Sequence, residues 1–481
     1  MALGLGIGIG IAPGGGGASG PPPAPFNGMI FDIDTTNTTS QGSGTNQIRL
    51  PFQVNAFDTP NVGPSGLNLD IIVDWGDGTS DTYNTNPTVD YTVAHTYSSP
   101  GIYTIKIDSP SQSIQGWSLA GGTSQANRYD REKIIELKQW GYFDFAVPSI
   151  SNNTNYWCAY AFAQANKMII TATDTPIISG VSLRGMLSSY QGPSGSVLEI
   201  PNLNNWDVSN VQSFESMFAV GSGANFTTPI GDVSGWDMSS AIHIGAMFAS
   251  SDFVGDVSNW NTSNVTTMYS VFVNTPGNPD LSNWDISSVT GSGLNSLFFN
   301  CPNFTGGPWL NNWVFNSGLT QLQSLFAGTQ INTPLNNWQT GNIQSFYNLF
   351  GQTPFNQDIS MWDITGTYQN AFRYGVLDMF SGATDFDQDL SAWDMQNTYC
   401  IRRFMGTGTI NDPTISPAKY DNMLVAFGAR VPYTRAKTSS YCGAQIWEFG
   451  RSQYNLSNSA AVAGRNALIA DMGGIVDGGG I

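Results

Sequence analysis

Two histidines, His95 and His243, stand in a chain of 481 residues, so any Ser-His-Asp or Cys-His arrangement must draw on one of them. His95 lies in "AHTYSSPGIYTIKI", two strand-like runs about a Pro-Gly turn, where a structural hydrogen bond is the expected role. His243 lies in "AIHIGAMF", at a variable position of a repeated segment. No G-x-S-x-G elbow or phosphate-binding loop accompanies either ring. Carboxylates are the other source of chemistry. Asp74, Asp77 and Asp81 in "DWGDGTSDTY" gather oxygen donors in one tight turn, a pattern that suits a hard cation, and they are the candidates for Ca²⁺. No other metal or cofactor is expected. Further aspartates recur before and after tryptophans in the second half. Adjacent coils of a repeat can hold two carboxylates about 5 Å apart, the separation used by retaining glycosidases. A catalytic pair needs to occur once, however, and these recur in copy after copy, which favours Asx turns at chain corners. The chain therefore reads as non-enzymatic, with no catalytic residue assigned.

Composition narrows the partners. Charged residues make up only 11% of the chain, and the formal net charge is -18. Nucleic acid and anionic membrane surfaces are excluded as main partners, because phosphate recognition needs clustered Lys and Arg. Only five of the 35 acidic residues are Glu, so the acidity comes from Asp, a residue of turns and caps. No run of 18 apolar residues occurs, so no membrane span is expected. Cys158, Cys301, Cys400 and Cys442 lie far apart without a C-x-x-C, which points away from a zinc or redox motif and towards buried free thiols.

The elements that would carry these residues fall into five segments. Residues 1–28, "MALGLGIGIGIAPGGGGASGPPPAPFNG", form a Gly/Pro-rich arm for anchoring or linking, with no basic stretch of the secretory kind. Residues 29–110 alternate apolar and polar positions between Gly, Pro and Asn clusters, as in a β-sandwich. Trp75, Gly76, Asp77 and Gly78, followed by His95, Tyr97, Gly101 and Tyr103, resemble the polycystic-kidney-disease (PKD) domain. That resemblance implies an immunoglobulin-like sandwich of about eighty residues, used as a spacer or binding module on extracellular proteins. Residues 111–130 read as a linker.

From residue 131 a period takes over. Tryptophans fall at 206, 236, 260, 284, 313, 338, 362 and 393, in steps of 30, 24, 24, 29, 25, 24 and 31. Between them stand hydrophobic-Phe pairs that end at Phe218, Phe248, Phe272, Phe298, Phe326, Phe350 and Phe380. A fixed period in this range marks a solenoid, whose single coil cannot bury its own large rings. Trp206, Trp236, Trp260, Trp284, Trp313, Trp338, Trp362 and Trp393, with the seven Phe, are therefore the expected stacked core. Trp309 and Tyr374 stand off this beat, in insertions, and are the candidates for a surface contact such as sugar stacking.

The unit D-[VLI]-S-x-W-[DN]-x-S, closing on hydrophobic-Phe, resembles the BspA-like leucine-rich repeat family of bacterial and phage surface proteins, whose repeat reads roughly W-D-T-S-N-V-T-x-M-x-x-M-F. "KIIELKQWGYFDF" resembles that family's opening segment, "AYAFAQANKMIITATDTP" and "SLRGMLSSYQG" its first degenerate repeats, and "KYDNMLVAF" with "YNLSNSAAVAGRNALIADMGGIVDGGGI" its closing cap, although Gly474 stands where that cap has Trp. The likeness implies a mainly β fold with short helices: an immunoglobulin-like sandwich, then a leucine-rich-repeat-like solenoid of about 24-residue coils over 131–410 and a cap over 411–481.

The expected role is display and adhesion. The chain is expected in a phage virion, as a fibre, spike or decoration subunit assembled in the host cytoplasm, with a secreted bacterial cell-surface adhesin as the alternative. A virion subunit needs no signal peptide, and an arm of small residues can add to a neighbouring subunit. Partners are then other virion or surface proteins, copies of the chain itself, and a host-surface protein or glycan. A tail-spike-like enzyme that degrades polysaccharide is the alternative of a different class. It requires two carboxylates of divergent pKa in one cleft.

Overall fold

The computed structural model describes residues 25–38, 42–50, 52, 69–85, 93–112, 114, 117, 130–145, 161–162, 167–188, 200–220, 230–368, 374–396, 398, 400–406, 410–433 and 447–481. Residues 1–24 of the expected arm, Cys158 and Cys442 lie outside them. The described chain is mainly β, with two α-helices, both near its C-terminal end.

Alternating apolar residues make the first part a pleated layer. β1 (Met29–Asp34) buries Met29, Phe31 and Ile33 on one face. It lies between β6 (Ile102–Asp108) and β7 (Ile134–Gln139), both antiparallel to it, so that Phe31 faces Ile105 on one side and Leu137 on the other. β3 (Leu69–Asp74), β4 (Ser80–Thr85) and β8 (Ile169–Ile170) complete a sheet in the order β4-β3-β6-β1-β7-β8. A separate pair, β2 (Gln47–Leu50) and β5 (Val93–Thr96), contributes Ile48, Leu50 and Val93 to the same core.

The expected linker belongs to that core. Trp117 and Ile114, inside the stretch 111–130, are fully buried. Trp117 bridges to Phe52 and packs edge-on against Phe31 at 5.6 Å and Phe52 at 5.3 Å, while Ile114 bridges in parallel to Phe143. A large indole between layers excludes more water than a solvated spacer could. The sheet itself also crosses residue 131, because β7 pairs with β1 and then, in parallel, with β8. Lys133 anchors the crossing: its buried ammonium donates to the carbonyls of Ser43, Gly44 and Gln47 at 2.7–3.1 Å and lies 3.8 Å from Asp130. Burial pushes its pKa down, and the carboxylate of Asp130 opposes that shift.

Beyond β8, regular strands give way to single parallel bridges that pass from coil to coil: Ser182 to Ser213, His243 and Thr267, then Gln321 to Ser345 and Gly375. After the bridge each coil follows a run of tight turns. Backbone N–H groups of one coil donate to carbonyls of the next, as Phe218 does to Met247, Phe248 to Val271, and onwards to Phe380 and Phe404, at 2.9–3.2 Å. All of these bonds point the same way along the stack. The residue two before each of these Phe is left-handed without being glycine: Ser216, Ala246, Ser270, Ser296, Ser324, Asn348 and Asp378 have φ between 51° and 57°. This conformation costs about 1–2 kcal/mol per non-glycine residue, so inter-coil bonding and ring packing must outweigh it in every coil.

The end of the ladder is closed by the C-terminal segment. The Arg403 N–H donates to the carboxylate of Glu448, and the Met405 N–H donates to its carbonyl at 3.0 Å. Helices α1 (Pro417–Gly428) and α2 (Ser459–Met472) cross at Gly428 and Gly464, where a Cβ on Gly428 would lie 2.4 Å from the Gly464 Cα. Arg465 clasps Asp477 with two bonds of 2.8 and 3.0 Å, and Tyr420 donates to the same carboxylate at 2.7 Å.

Candidate functional site

The aromatic columns set the geometry of everything outside them. The eight repeat tryptophans are 1–7% exposed, and the seven repeat phenylalanines at most 1%. Phe218, Phe248, Phe272, Phe298, Phe326, Phe350 and Phe380 stack in one unbroken file, with centroids 5.7–6.0 Å apart. The indole file is continuous at the steps of 24 and 25 residues, as at Trp236, Trp260 and Trp284, and is interrupted at the longer steps. An insertion therefore displaces the indole edge of a coil and leaves the phenyl edge in register. Indole N–H groups donate to a carbonyl of the preceding coil, Trp260 to Val233 at 3.0 Å and Trp362 to Leu335 at 2.9 Å. Trp206 and Trp313 make no such bond; Trp313 begins an indole file after a long step, whereas Trp206 meets Trp140 edge-on at 5.3 Å.

Four rings that the Trp–Phe spacing does not single out complete this core. Phe253, Phe304, Phe355 and Phe386 lie face to face with Phe248, Phe298, Phe350 and Phe380 at 3.8–3.9 Å. Their signal in sequence is a second Phe five or six residues after the first, present in only some copies. Hydroxyls satisfy the nearby carbonyls: Ser251, Thr275, Thr329 and Thr353 each donate to the carbonyl three residues back, at 2.7–2.8 Å. Cys301, a buried free thiol, donates to the Phe272 carbonyl, and burial pushes its pKa up. Cys400 departs from the free-thiol expectation, because it is disulfide-bonded.

The corner aspartates act as local caps. Asp232, Asp256, Asp280, Asp358 and Asp389 each accept the N–H two residues on, at 2.8–2.9 Å, as do Asp237, Asp285 and Asp363 after the indole. Hydrogen bonds from Ser234 and Ser258 hold the Asp232 and Asp256 carboxyls below their ordinary pKa. In the N-terminal turn the three Ca²⁺ candidates diverge. Asp74 accepts from the Gly76 N–H at 2.9 Å, Asp77 accepts from Thr79 and meets His95 Nε2 at 2.8 Å, and Asp81 accepts from the Trp75 indole at 2.8 Å. Hydrogen bonds from Thr79 hold Asp77 at about 2. His95 also stacks on Trp75 at 4.9 Å. Among the described residues no group of three or more His, Cys, Asp or Glu is placed to hold a metal.

What the stack leaves outward is a row of long polar side chains beside the bridges. Register places Arg184, Glu215, Tyr269, Asn295, Gln323 and Tyr347 at one position of successive coils, with Gly245 in the coil between Glu215 and Tyr269. A Cβ on Gly245 would lie 2.6 Å from the Tyr269 ring, so the glycine lets that phenol lie across its coil and reach Glu215 at 2.7 Å. Arg184 pairs with Glu215 at 3.4 Å. His243 Nδ1 meets Thr267 Oγ1 at 2.8 Å, and burial lowers its pKa. Next come amides: Asn295 donates to Gln321 at 3.1 Å, and Gln323 donates to Ser345 Oγ at 3.1 Å. The row ends on Tyr347, whose ring lies 5.3 Å from that of Tyr374 in the next coil, where Leu377 takes the row's own position. Tyr374 is 40% exposed, whereas Trp309 is half-buried against Trp313 at 5.5 Å.

Residues 183–313 and 292–416 match the family described as "Mycoplasma protein of unknown function, DUF285". They form a BspA-like repeat segment. No curated protein and no solved structure matches the chain. The BspA-like segment starts at the coil of Leu183 and runs past Arg403 to the first turn of the cap, so the stacked rings, the corner aspartates and the polar row all belong to it. No helix among the described residues is long and apolar enough to cross a membrane.

Proposed function

We propose that this protein is a non-enzymatic, surface-displayed structural and adhesion protein, in which a PKD-like, immunoglobulin-like sandwich carries a leucine-rich-repeat-like solenoid outward. A phage virion subunit is the preferred setting, and a secreted bacterial adhesin the alternative. The observation that carries this reading is the in-register stack. It spends its aromatic residues on the core and presents a polar side chain in most of its coils along an extended face, which is how repeat arrays build wide contact surfaces. The disulfide at Cys400 supports exposure to an oxidising exterior, the setting in which such bonds persist. The arm over 1–28 would join the subunit to its neighbours by strand addition.

The enzyme alternative has one specific pair in its favour. Burial raises the pKa of both Asp378 and Glu448, which interact across Arg403. Both carboxylates are nonetheless engaged in closing the stack, Asp378 with the Arg403 guanidinium at 2.6 Å and Glu448 with backbone N–H. Purified full-length protein should bind intact bacterial cells or assembled particles and release no reducing sugar from a panel of bacterial polysaccharides. Turnover on any of them, abolished by Asp378→Asn, would replace the display reading with the enzyme.

A further inference from the structure

The polar row changes character along its length. Near Arg184 and Glu215 its groups are charged and paired to one another. At Gln323, Gln344, Ser345, Tyr347 and Tyr374 they are uncharged. Ser345 bridges to Gly375, so Gln344 and Tyr374, each one residue earlier, occupy the same register position in adjacent coils, about 5 Å apart. Tyr347 approaches Tyr374 from the other side of the bridge. The Gln344 side-chain oxygen is shielded from solvent and receives no hydrogen bond, although a buried acceptor normally finds a donor. A tilted pair of phenol rings, one 40% exposed, thus stands beside an acceptor that lacks its donor and an amide row that can give and take further bonds.

From this juxtaposition we infer that Gln323, held by the buried Ser345, together with Gln344, Tyr347 and Tyr374 forms a subsite for an uncharged polysaccharide, a sugar ring lying on Tyr374 while the half-buried Gln344 turns its amide oxygen outward to accept from one of the sugar's hydroxyls. Pyranose faces carry C–H groups that pack on aromatic rings, and their hydroxyls match planar amides. Charge selects within the glycans: the chain's net charge of -18 repels acidic polymers, and none of the five residues is a cation that would offset this. The assignment rests on the display reading and names its ligand class.

Affinity electrophoresis of the full-length chain through gels holding dextran, mannan, galactan or xyloglucan tests it, with alginate as the acidic control. At least one neutral polymer should retard the protein and alginate should not. Tyr374→Ala and Gln344→Ala should each weaken retardation about tenfold or more, with the far-ultraviolet circular dichroism of the parent retained. Ile102→Ala, on the distant sheet, should leave it unchanged. Retardation by alginate alone, by none of the polymers, or equally in parent and Tyr374→Ala overturns the subsite. Cell binding that survives in those cases leaves the display reading standing, and loss of cell binding with intact polysaccharide retardation removes the display reading alone.

Discussion

The N-terminal sheet and the repeat stack reach order by opposite routes. The sheet uses paired strands, each side chain with its own contact, such as Tyr97 donating to the Trp75 carbonyl at 3.0 Å and Thr104 to Asp32 at 2.7 Å. The stack has almost no paired strand, accepts a left-handed residue in each coil, and recovers stability by placing the same ring on the same ring. Contacts in the sheet are individual, each between a different pair of residues. In the stack they are nearest-neighbour and repeated, so its stability is a chain of interface terms.

That contrast is most open to breakage at Trp260, which stacks on Trp236 and Trp284 together. Trp260→Ala should cost about 3–5 kcal/mol, and hydrogen exchange should accelerate in the coils on both sides. Trp75→Ala, of similar size in the sheet, should accelerate exchange around residues 69–97 and spare the coils beyond Thr267. Exchange confined to one coil in the Trp260 variant would sink the nearest-neighbour account. Next in size is the closure of the ladder. Glu448→Ala leaves the Arg403 N–H without an acceptor and should cost about 1–3 kcal/mol in chemical denaturation. Glu448→Gln keeps an acceptor for that N–H and should cost less than Glu448→Ala in the same measurement.

A smaller effect of opposite sign sharpens the comparison. Ser270→Gly relieves a left-handed φ of 56° and should raise stability by up to about 1 kcal/mol, whereas Ser270→Val should lower it. The smallest effect lies in acid. Asp77 has its folded pKa depressed from 3.8 to about 2, so the stability it contributes is present above about pH 4 and lost as pH falls towards 2. Asp77→Asn should flatten that part of the pH profile in thermal unfolding of the sheet. A steep loss retained in the variant would assign the acid sensitivity to the corner aspartates.

Much of the stack was legible because repetition converts packing into spacing. One Trp in a sequence says little, while eight at near-constant steps say that they share an environment. Phe253 and Phe304 lacked that advantage, since their partners in other copies are missing or shifted by a residue. The left-handed positions were hidden because Ser, Ala, Asn and Asp occupy them in place of glycine. Trp117 and Ile114 were hidden because a bridge to a distant strand leaves no local period. The polar row could not be read at all: its members differ in type, and only register aligns them. Of the two off-beat aromatics, sequence treats Trp309 and Tyr374 alike, and only the turn at Pro308–Asn312 folds the indole back onto Trp313.

Along the phenyl edge, where each coil donates its backbone N–H to the next, the bonds give this molecule a direction, like a row of similar sockets each holding the next plug. A whole winding can be inserted or deleted in the middle without disturbing either terminus, because the new unit receives the surface it also offers. The reach of the molecule is therefore adjustable in increments of one turn. Glu448 fixes where that growth stops, and without it the last socket would be open to another molecule's first plug.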